Sequence, residues 1–558
     1  MSMRPIPSPP VPVATATLAR AVFPAGCLAM RLRDELGEVF TSADFVGAYP
    51  RRGGPALSPA TLALVSVLQY AERLTDRQAA HAAAARIDWK YAVGLELADP
   101  GFDHSVLSQF RDRLIDNSLE SRVLELMLER CAELGLVRVG GRVRTDATHV
   151  VACARALNRL EFVTETVRAA LEALAVTAPD WLAGHDLVSE VWVRRYGARA
   201  DYWRLPKGEA ERAAFAVTVG TDGFQLLDAV ATEADRPGGS GWLAEIPAVA
   251  LLRRVWEQQY VRDRRRVVRQ RTGKELPPGA QRIISPHDPD SRVGIKRSTR
   301  WDGYKLHLTE SCDADGATPH LITHVVTTAA PVDDAAQTLT VEHDLLAAGR
   351  GPAEHLVDAG YMGAELIVEA AHLGIDLVGP VPIAGARQER EHRGYALGDF
   401  TIDWEAKTAT CPQGKTSTRW IDTTIDGYPR IHVDFYNAGC PSCPAKKDCT
   451  SSRFRGLTLH PRDEHQALQR RRAEQNTEPW RQRYAARAGV ESTIAQAIHA
   501  CDARRARYKG LPKVRLEHIL LAAAINLIRL DAWWTGTPLG PTRTSHYARL
   551  ELDLDLAA

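Results

Sequence analysis

The chain has 558 residues, of which 45% are hydrophobic and 25% charged, with 70 Lys+Arg against 69 Asp+Glu. This length exceeds one ordinary core and predicts about three or four domains or large insertions. The near-zero net charge means that any polyanionic partner must be met by a local patch, and no run of about eighteen apolar residues is present to span a membrane as a helix.

In chain order, the start "MSMRPIPSPPVPVATATLAR" is Pro-rich and lacks the charged-then-apolar pattern of a signal peptide. It reads as a disordered arm, residues 1–24, on a cytosolic protein. Five of the nine cysteines (Cys27, Cys131, Cys153, Cys312, Cys501) are scattered singly and read as small buried hydrophobes in a reducing compartment. Residues 25–135 read as helical. "SPATLALVSVLQYAERL" opens with Ser58 as N-cap and Pro59 at the first helical position. "TDRQAAHAAAARIDWKYAVGL" and "DHSVLSQFRDRLIDN" follow, each with a Thr or Asp start signal. Three short helices, the last displaying Ser105, Ser108, Gln109, Arg111 and Arg113, fit a helix-turn-helix unit. They fit an ordinary helical bundle equally well.

"GRVRTDATHVVA" (141–152) switches to β-branched alternation and predicts a strand that carries Asp146. Helix returns from 155 to about 275, ending in the basic stretch "VRDRRRVVRQRTGK". Two strands follow, "DGYKLHLTESCD" and "HLITHVVTTAAPVDD", then the helix "AAQTLTVEHDLLAAG" and the short strand "HLVDAGYMG" with Asp358 at its end. "AELIVEAAHLG" is a helix and "IDLVGPVP" a strand. A polar interruption at 387–475 holds the grouped cysteines. Beyond it come the helix "RYAARAGVESTIAQAIHAC" and a strongly apolar one, "KVRLEHILLAAAINLIRLDAWW", that should pack on the core. The tail after about 536 looks irregular.

Asp146 stands out because a carboxylate inside an apolar strand is disfavoured by propensity and by desolvation. Asp358 stands at the carboxyl end of a strand, where α/β sheets place ligands. Tyr484, Arg487 and Glu491 fall on one face of the predicted helix. Taken alone, Arg487 and Glu491 are an ordinary i,i+4 ion pair worth a few tenths of a kcal/mol. Three carboxylates at one site would repel and call for divalent cations. Their hard oxygens suit Mg²⁺ or Mn²⁺, and two such ions about 4 Å apart serve in-line displacement at phosphorus. Arg487 could then orient Glu491 or grip a phosphate.

"VRTDATHV", "HLVDAGYMGAEL" and "YAARAGVESTIAQA" together resemble the DDE transposases of bacterial insertion sequences, with the third matching the family's Tyr-Arg-Glu helix signature at Tyr484, Arg487 and Glu491. The likeness extends over about residues 25–535 and is closest to a branch with a helical N-terminal domain and a cysteine-bearing insertion. It implies an α/β chain with an RNase H-like mixed-sheet catalytic core, interrupted twice and preceded by an all-α domain. Asp146, Asp358 and Glu491 would bind two Mg²⁺ (or Mn²⁺) ions, and Arg487 and Tyr484 would act beside them. The partner would be double-stranded DNA, as terminal inverted repeats and target, bound by a homodimer in the bacterial cytoplasm at the nucleoid. The reaction would be end cleavage followed by strand transfer. A metal-dependent nuclease or resolvase without strand transfer, or an inactive DNA-binding relative, is the alternative. The signature breaks at one place, because its Lys, after six residues beyond Glu491, is Ile498 here.

Cys411, Cys440, Cys443 and Cys449 form a Cys-x-x-Cys knuckle, a third thiol close by and a distant fourth, the set a structural Zn²⁺ takes. A redox thiol pair is the other reading, without a surrounding thioredoxin-like unit. "QGKTS" lacks the first glycine of a phosphate loop, since position 409 is Ala409. From Arg470 to Arg515 there are twelve Lys/Arg against four Asp/Glu. Arg504, Arg505, Arg507 and Lys509 are therefore candidate phosphate contacts, and Ser108, Gln109 and Arg111 candidate readers of base edges. The expected division is a helical DNA-binding domain at 25–135, a core at 136–154, 296–386 and 476–535, a helical insertion at 155–295, a zinc-stabilised insertion at 387–475, and a tail at 536–558.

Overall fold

The structure is a computed structural model and describes residues 10–54, 56–185, 187–313, 315–382, 394–436 and 438–537. The expectation for the tail falls almost wholly outside them, as does the first part of the predicted arm. Within the arm, however, Val13–Val22 forms a helix, α1. Its Ala19 is fully buried, and Thr15 Oγ1 donates to the Leu95 carbonyl at 2.8 Å. An Ala-Thr-Leu run supplies enough small apolar surface to dock, so the arm is ordered from Val13 onward.

The N-terminal region is helical. Pro59–Ala71 (α2) is capped by Ser58, whose hydroxyl accepts from Thr61 N–H. Asp76–Ala85 (α3) starts in a reciprocal Thr75–Gln78 capping box. Ile87–Val93 (α4), Ser105–Asp116 (α5) and Arg122–Glu133 (α6) complete the set.

A mixed sheet follows. Arg142–Val151 (β1) pairs antiparallel with Thr299–Ser311. Between them lie four main helices, Arg159–Thr177 (α7), Glu190–Tyr196 (α8), Glu209–Asp235 (α9) and Pro247–Gln259 (α10), which share a core of their own that includes Leu226, Val255 and Trp256. Residues 260–270, expected to continue the helix, turn back as a short antiparallel hairpin. The chain rejoins the sheet as Arg292–Lys296 (β2), Thr299–Ser311 (β3) and Ile322–Ala329 (β4). Then come Thr338–Ala347 (α11), Glu354–Leu356 (β5), Ala364–His372 (α12) and Asp376–Val378 (β6). β2 and β4 pair with successive parts of β3, and the order continues β3-β1-β5-β6, with β1, β5 and β6 parallel.

The cysteine-bearing region forms two small antiparallel sheets. One joins Thr401–Asp403 (β7) to Thr408–Thr410 (β8), and the other joins Arg419–Ile425 (β9), Tyr428–Asp434 (β10) and Gly456–Leu459 (β11). Phe400, Val433, Phe435, Leu457 and Leu459 form its interior. Arg462–Glu474 (α13), read as the end of this insertion, instead buries Ala467 and Leu468 with the residues of α12. Glu478–Ala485 (α14), Gly489–Cys501 (α15) and Leu511–Trp534 (α16) close the chain. α16 is buried along most of its length because it lies between β4 and the N-terminal helices. Asn526 bonds both backbone groups of Ile322 on one side, and Leu520 and Leu521 share a cluster with Leu62 and Leu68 of α2 on the other.

Candidate active site

Strand alternation gives β1 two different faces. On one, Thr145 is hydrogen-bonded to Thr309 (2.7 Å) and to His355 (2.8 Å), and His355 to Glu342 (2.9 Å), all of them buried. On the other, Arg144 Nε donates to Glu310 at 2.6 Å, and Glu310 also accepts from Thr493 and Arg529. Asp146 lies next along this second face, one residue pair from the Glu310 network.

Asp146 Oδ1 accepts its neighbour's Ala147 N–H at 2.7 Å, and Oδ2 accepts Arg487 Nη2 at 2.7 Å. Burial holds the Asp146 carboxyl above its ordinary range, against the pull of Arg487. Asp358 follows β5 by two residues and caps a tight turn by accepting Gly360 N–H at 2.8 Å. Its Oδ2 lies 3.9 Å from Arg487 Nη2. Glu491 stands in the first turn of α15 and meets Arg487 Nη1 at 3.0 Å. One guanidinium, its side chain 13% exposed, thus joins carboxylates from three distant segments. The i,i+4 ion pair is real, and it forms one side of a larger cluster.

The helix that holds these groups is not continuous. α14 ends at Ala485 and a single tight turn, Ala486–Ala488, precedes α15. Tyr484 therefore packs back on the sheet, stacked on Trp480 (4.8 Å between centroids, 15° between planes) beside Leu356 and Val378. Burial raises its phenol pKa. At Gly489 a side chain would displace the Arg144 guanidinium from its bonds to Glu310 and the Ala486 carbonyl, so a glycine leaves that network undisturbed.

Of the DNA-contact candidates, Ser108 and Gln109 are exposed on α5, and Arg504, Arg505 and Lys509 are exposed after α15. Arg111 is a correction, since it is 5% exposed, ion-paired with Asp76 and laid over the Tyr508 ring. Arg507 is half-buried, donates to the Leu74 carbonyl and lies over Tyr70. In the 262–274 stretch, Arg262 is held by Asp228 and Arg269 by Glu275. Sequence reasoning also missed Asp334, which pairs with Lys305 at 2.8 Å close to Gly360, and Tyr361, which is hydrogen-bonded to His307 at 2.6 Å. Burial brings His307 down to about 4. A polar residue inside a strand or an acidic pair after one, as in "PVDD", was the available signal.

Residues 410–531 match a family model described as Transposase DDE domain, and residues 20–113 match one described as Transposase domain (DUF772). The chain carries both transposase domains, and the pair supports a DDE transposase of an insertion sequence, the family its motifs resemble. No curated protein matches the chain. The first match holds Tyr484, Arg487, Glu491 and all four grouped cysteines, whereas Asp146 and Asp358 lie outside both and join the site through Arg487.

A DDE domain implies divalent-metal use and DNA as substrate. The three carboxylates are the hard oxygen donors such an ion takes. As the side chains stand around Arg487, no group of three or more His, Cys, Asp or Glu among the described residues forms a ready metal set. The four cysteines line one cavity of about 30 Å³, and burial, with the neighbouring thiols, raises the Cys449 thiol pKa. Among the described residues no helix is long and apolar enough to cross a membrane.

Proposed function

We propose that the chain binds the terminal inverted repeats of an insertion sequence as a homodimer and performs end cleavage and strand transfer at Asp146, Asp358 and Glu491. The observation that carries this reading is the convergence of those three carboxylates on the Arg487 guanidinium. The strand order β4-β3-β1-β5-β6, antiparallel through β1 and parallel beyond, supports an RNase H-like core with Asp146 on its central strand.

In this reading Asp146, Asp358 and Glu491 would hold two Mg²⁺ or Mn²⁺ ions, which when bound would supply activation of the attacking oxygen and stabilisation of the leaving one. Arg487 orients Glu491 or takes a phosphate oxygen, and Tyr484 buttresses the turn that aims it. Arg504, Arg505 and Lys509 meet the phosphate backbone, while Ser108 and Gln109 face the bases. Cys411, Cys440, Cys443 and Cys449 would hold a structural Zn²⁺ that reinforces a small domain. The protein would work at the nucleoid in the bacterial cytoplasm.

The test is end cleavage with Mg²⁺ by Asp146→Asn, Asp358→Asn and Glu491→Gln, alongside a gel shift. Loss of cleavage with retained end binding is expected. Normal cleavage by any of the three would overturn the assignment, and cleaved but never joined ends would mark a nuclease.

A further inference from the structure

The helical insertion carries a feature that neither its own packing nor the carboxylate site uses. Between α8 and α9 the segment "RYGARADYWRLPKG" exposes two adjacent aromatic rings, Tyr202 at 69% and Trp203 at 62%. The rings stand nearly perpendicular, 82°, with centroids 5.4 Å apart. Burial of such rings is a principal source of stability in a small helical domain, and this domain instead buries Trp192, Tyr196 and Trp256 nearby.

The same segment contributes Arg195, Arg199 and Arg204 to the lining of a cavity of about 280 Å³, with Arg194 and Phe215 from α8 and α9, while the two rings stand outside that lining. Arg195 is neutralised by Asp222, and Arg194 meets Glu190 across an exposed turn. Arg199 and Arg204 have no ion-pair partner among the described residues and are exposed.

The segment is also fastened. Ala200 N–H donates to the buried Glu165 at 3.0 Å, and Arg155 Nη2 donates to the Ala200 carbonyl at 3.1 Å. Arg155 also lies 3.5 Å from Asp201. Glu165 is in turn held by Arg168 and His287. Arg155 stands only four residues past the end of β1, so the aromatic segment is tied to the chain leaving the strand that bears Asp146.

We propose that Tyr202 and Trp203 are a stacking platform for an unpaired nucleobase, with Arg199 and Arg204 gripping its flanking phosphates. Uncompensated guanidinium groups call for an anion, exposed rings call for a flat apolar face, and a nucleotide offers both. Bases in an intact duplex are already stacked, so the ligand is a base outside the helix, such as one freed at a processed DNA end. This rests on the DNA-transposase reading and names the form of DNA engaged.

The test uses the full chain and two fluorescent duplexes, one fully paired and one with an unpaired 2-aminopurine in a bulge. The wild type should quench the bulged probe and bind it roughly tenfold more tightly than the paired one. Tyr202→Ala/Trp203→Ala should lose both effects while binding the paired duplex unchanged, and exposed positions leave the fold intact. Arg199→Gln/Arg204→Gln should weaken both probes and flatten the salt dependence by about two phosphate contacts. Retained quenching and preference in the aromatic pair variant would overturn the proposal. So would a change confined to sedimentation, which would mark a contact between copies. Asp146→Asn should quench normally without cleaving, which separates failure of the platform from failure of the catalytic reading. A wild type that binds neither duplex would overturn both.

Discussion

A single guanidinium carries the site. Arg487 bonds Asp146 and Glu491 at 2.7 and 3.0 Å and lies 3.9 Å from Asp358, which needs the planar fork of Arg rather than a point charge. Arg487→Lys should therefore fail to restore the arrangement, with cleavage of end-containing DNA reduced at least about tenfold in a single-turnover assay while end binding persists. Glu517 is the residue with the clearest pH signature, because burial raises its carboxyl to about 7 from 4.5. A carboxyl raised by folding contributes stability in full below its ordinary value and loses it as pH climbs through 7. Glu517→Gln keeps an acceptor for the Arg507 N–H and removes the charge. It should stabilise the protein at pH 8 by about 2–3 kcal/mol in urea denaturation, an advantage that fades toward pH 4.5. Asp146, Asp358 and Glu491 could be picked out as a set because each sits where a carboxylate is out of place or in register with a signature, and their convergence on Arg487 is what the structure adds. Arg111 was misread because helical spacing tells which face a residue occupies, and not that Asp76 and Tyr508, from other elements, close over that face.

Most core elements were legible as well. The strands around Asp146, His307 and Val325 and the helices at 338–347 and 364–372 follow their hydrophobic periods. The losses have local causes. The short strand β2 has little apolar content, and the turn at Ala486–Ala488 is written in helix-forming alanines, so nothing in the sequence announces it. The element most exposed to damage is the join of β1 to α15 and α16 through Glu310, whose carboxylate is fully buried against Arg144, Thr493 and Arg529. Glu310→Ala should cost about 3–5 kcal/mol, read from the denaturation midpoint, because it removes the carboxylate shared by the buried Arg144 and the partly buried Arg529. In the cysteine-bearing sheets, the proposed zinc makes a separate forecast. A strong chelator or Cys443→Ser should lower the first thermal transition and release one zinc per chain, measured by a colorimetric zinc indicator, with the carboxylate site unaltered.

At the level of the whole molecule, the expected border between an N-terminal DNA-binding domain and a separate core is not a border in packing. Leu62, Leu68 and Phe110 from the N-terminal helices share one cluster with Val150, Leu306 and Leu308 of the sheet and with α16. An ion pair of 2.6 Å between Arg31 and Asp531 ties the two ends of the described chain. The sequence could not reveal this, since helical periodicity shows that a face is apolar and not which distant face covers it. Removing residues 1–135 should therefore leave α16 uncovered and give insoluble protein, whereas a chain cut within a true linker would stay soluble.

The shared core has a geometric corollary. Because the N-terminal helices and the sheet share one cluster, the outer face of α5 is positioned relative to Asp146 by core packing. A protein that reads bases with Ser108 and Gln109 and cuts at Asp146 would then measure DNA as a rigid ruler does. Adding one base pair between the recognised sequence and the cleaved bond would displace the cut site by one rise and one step of helical rotation, and the protein would have no slack with which to follow it.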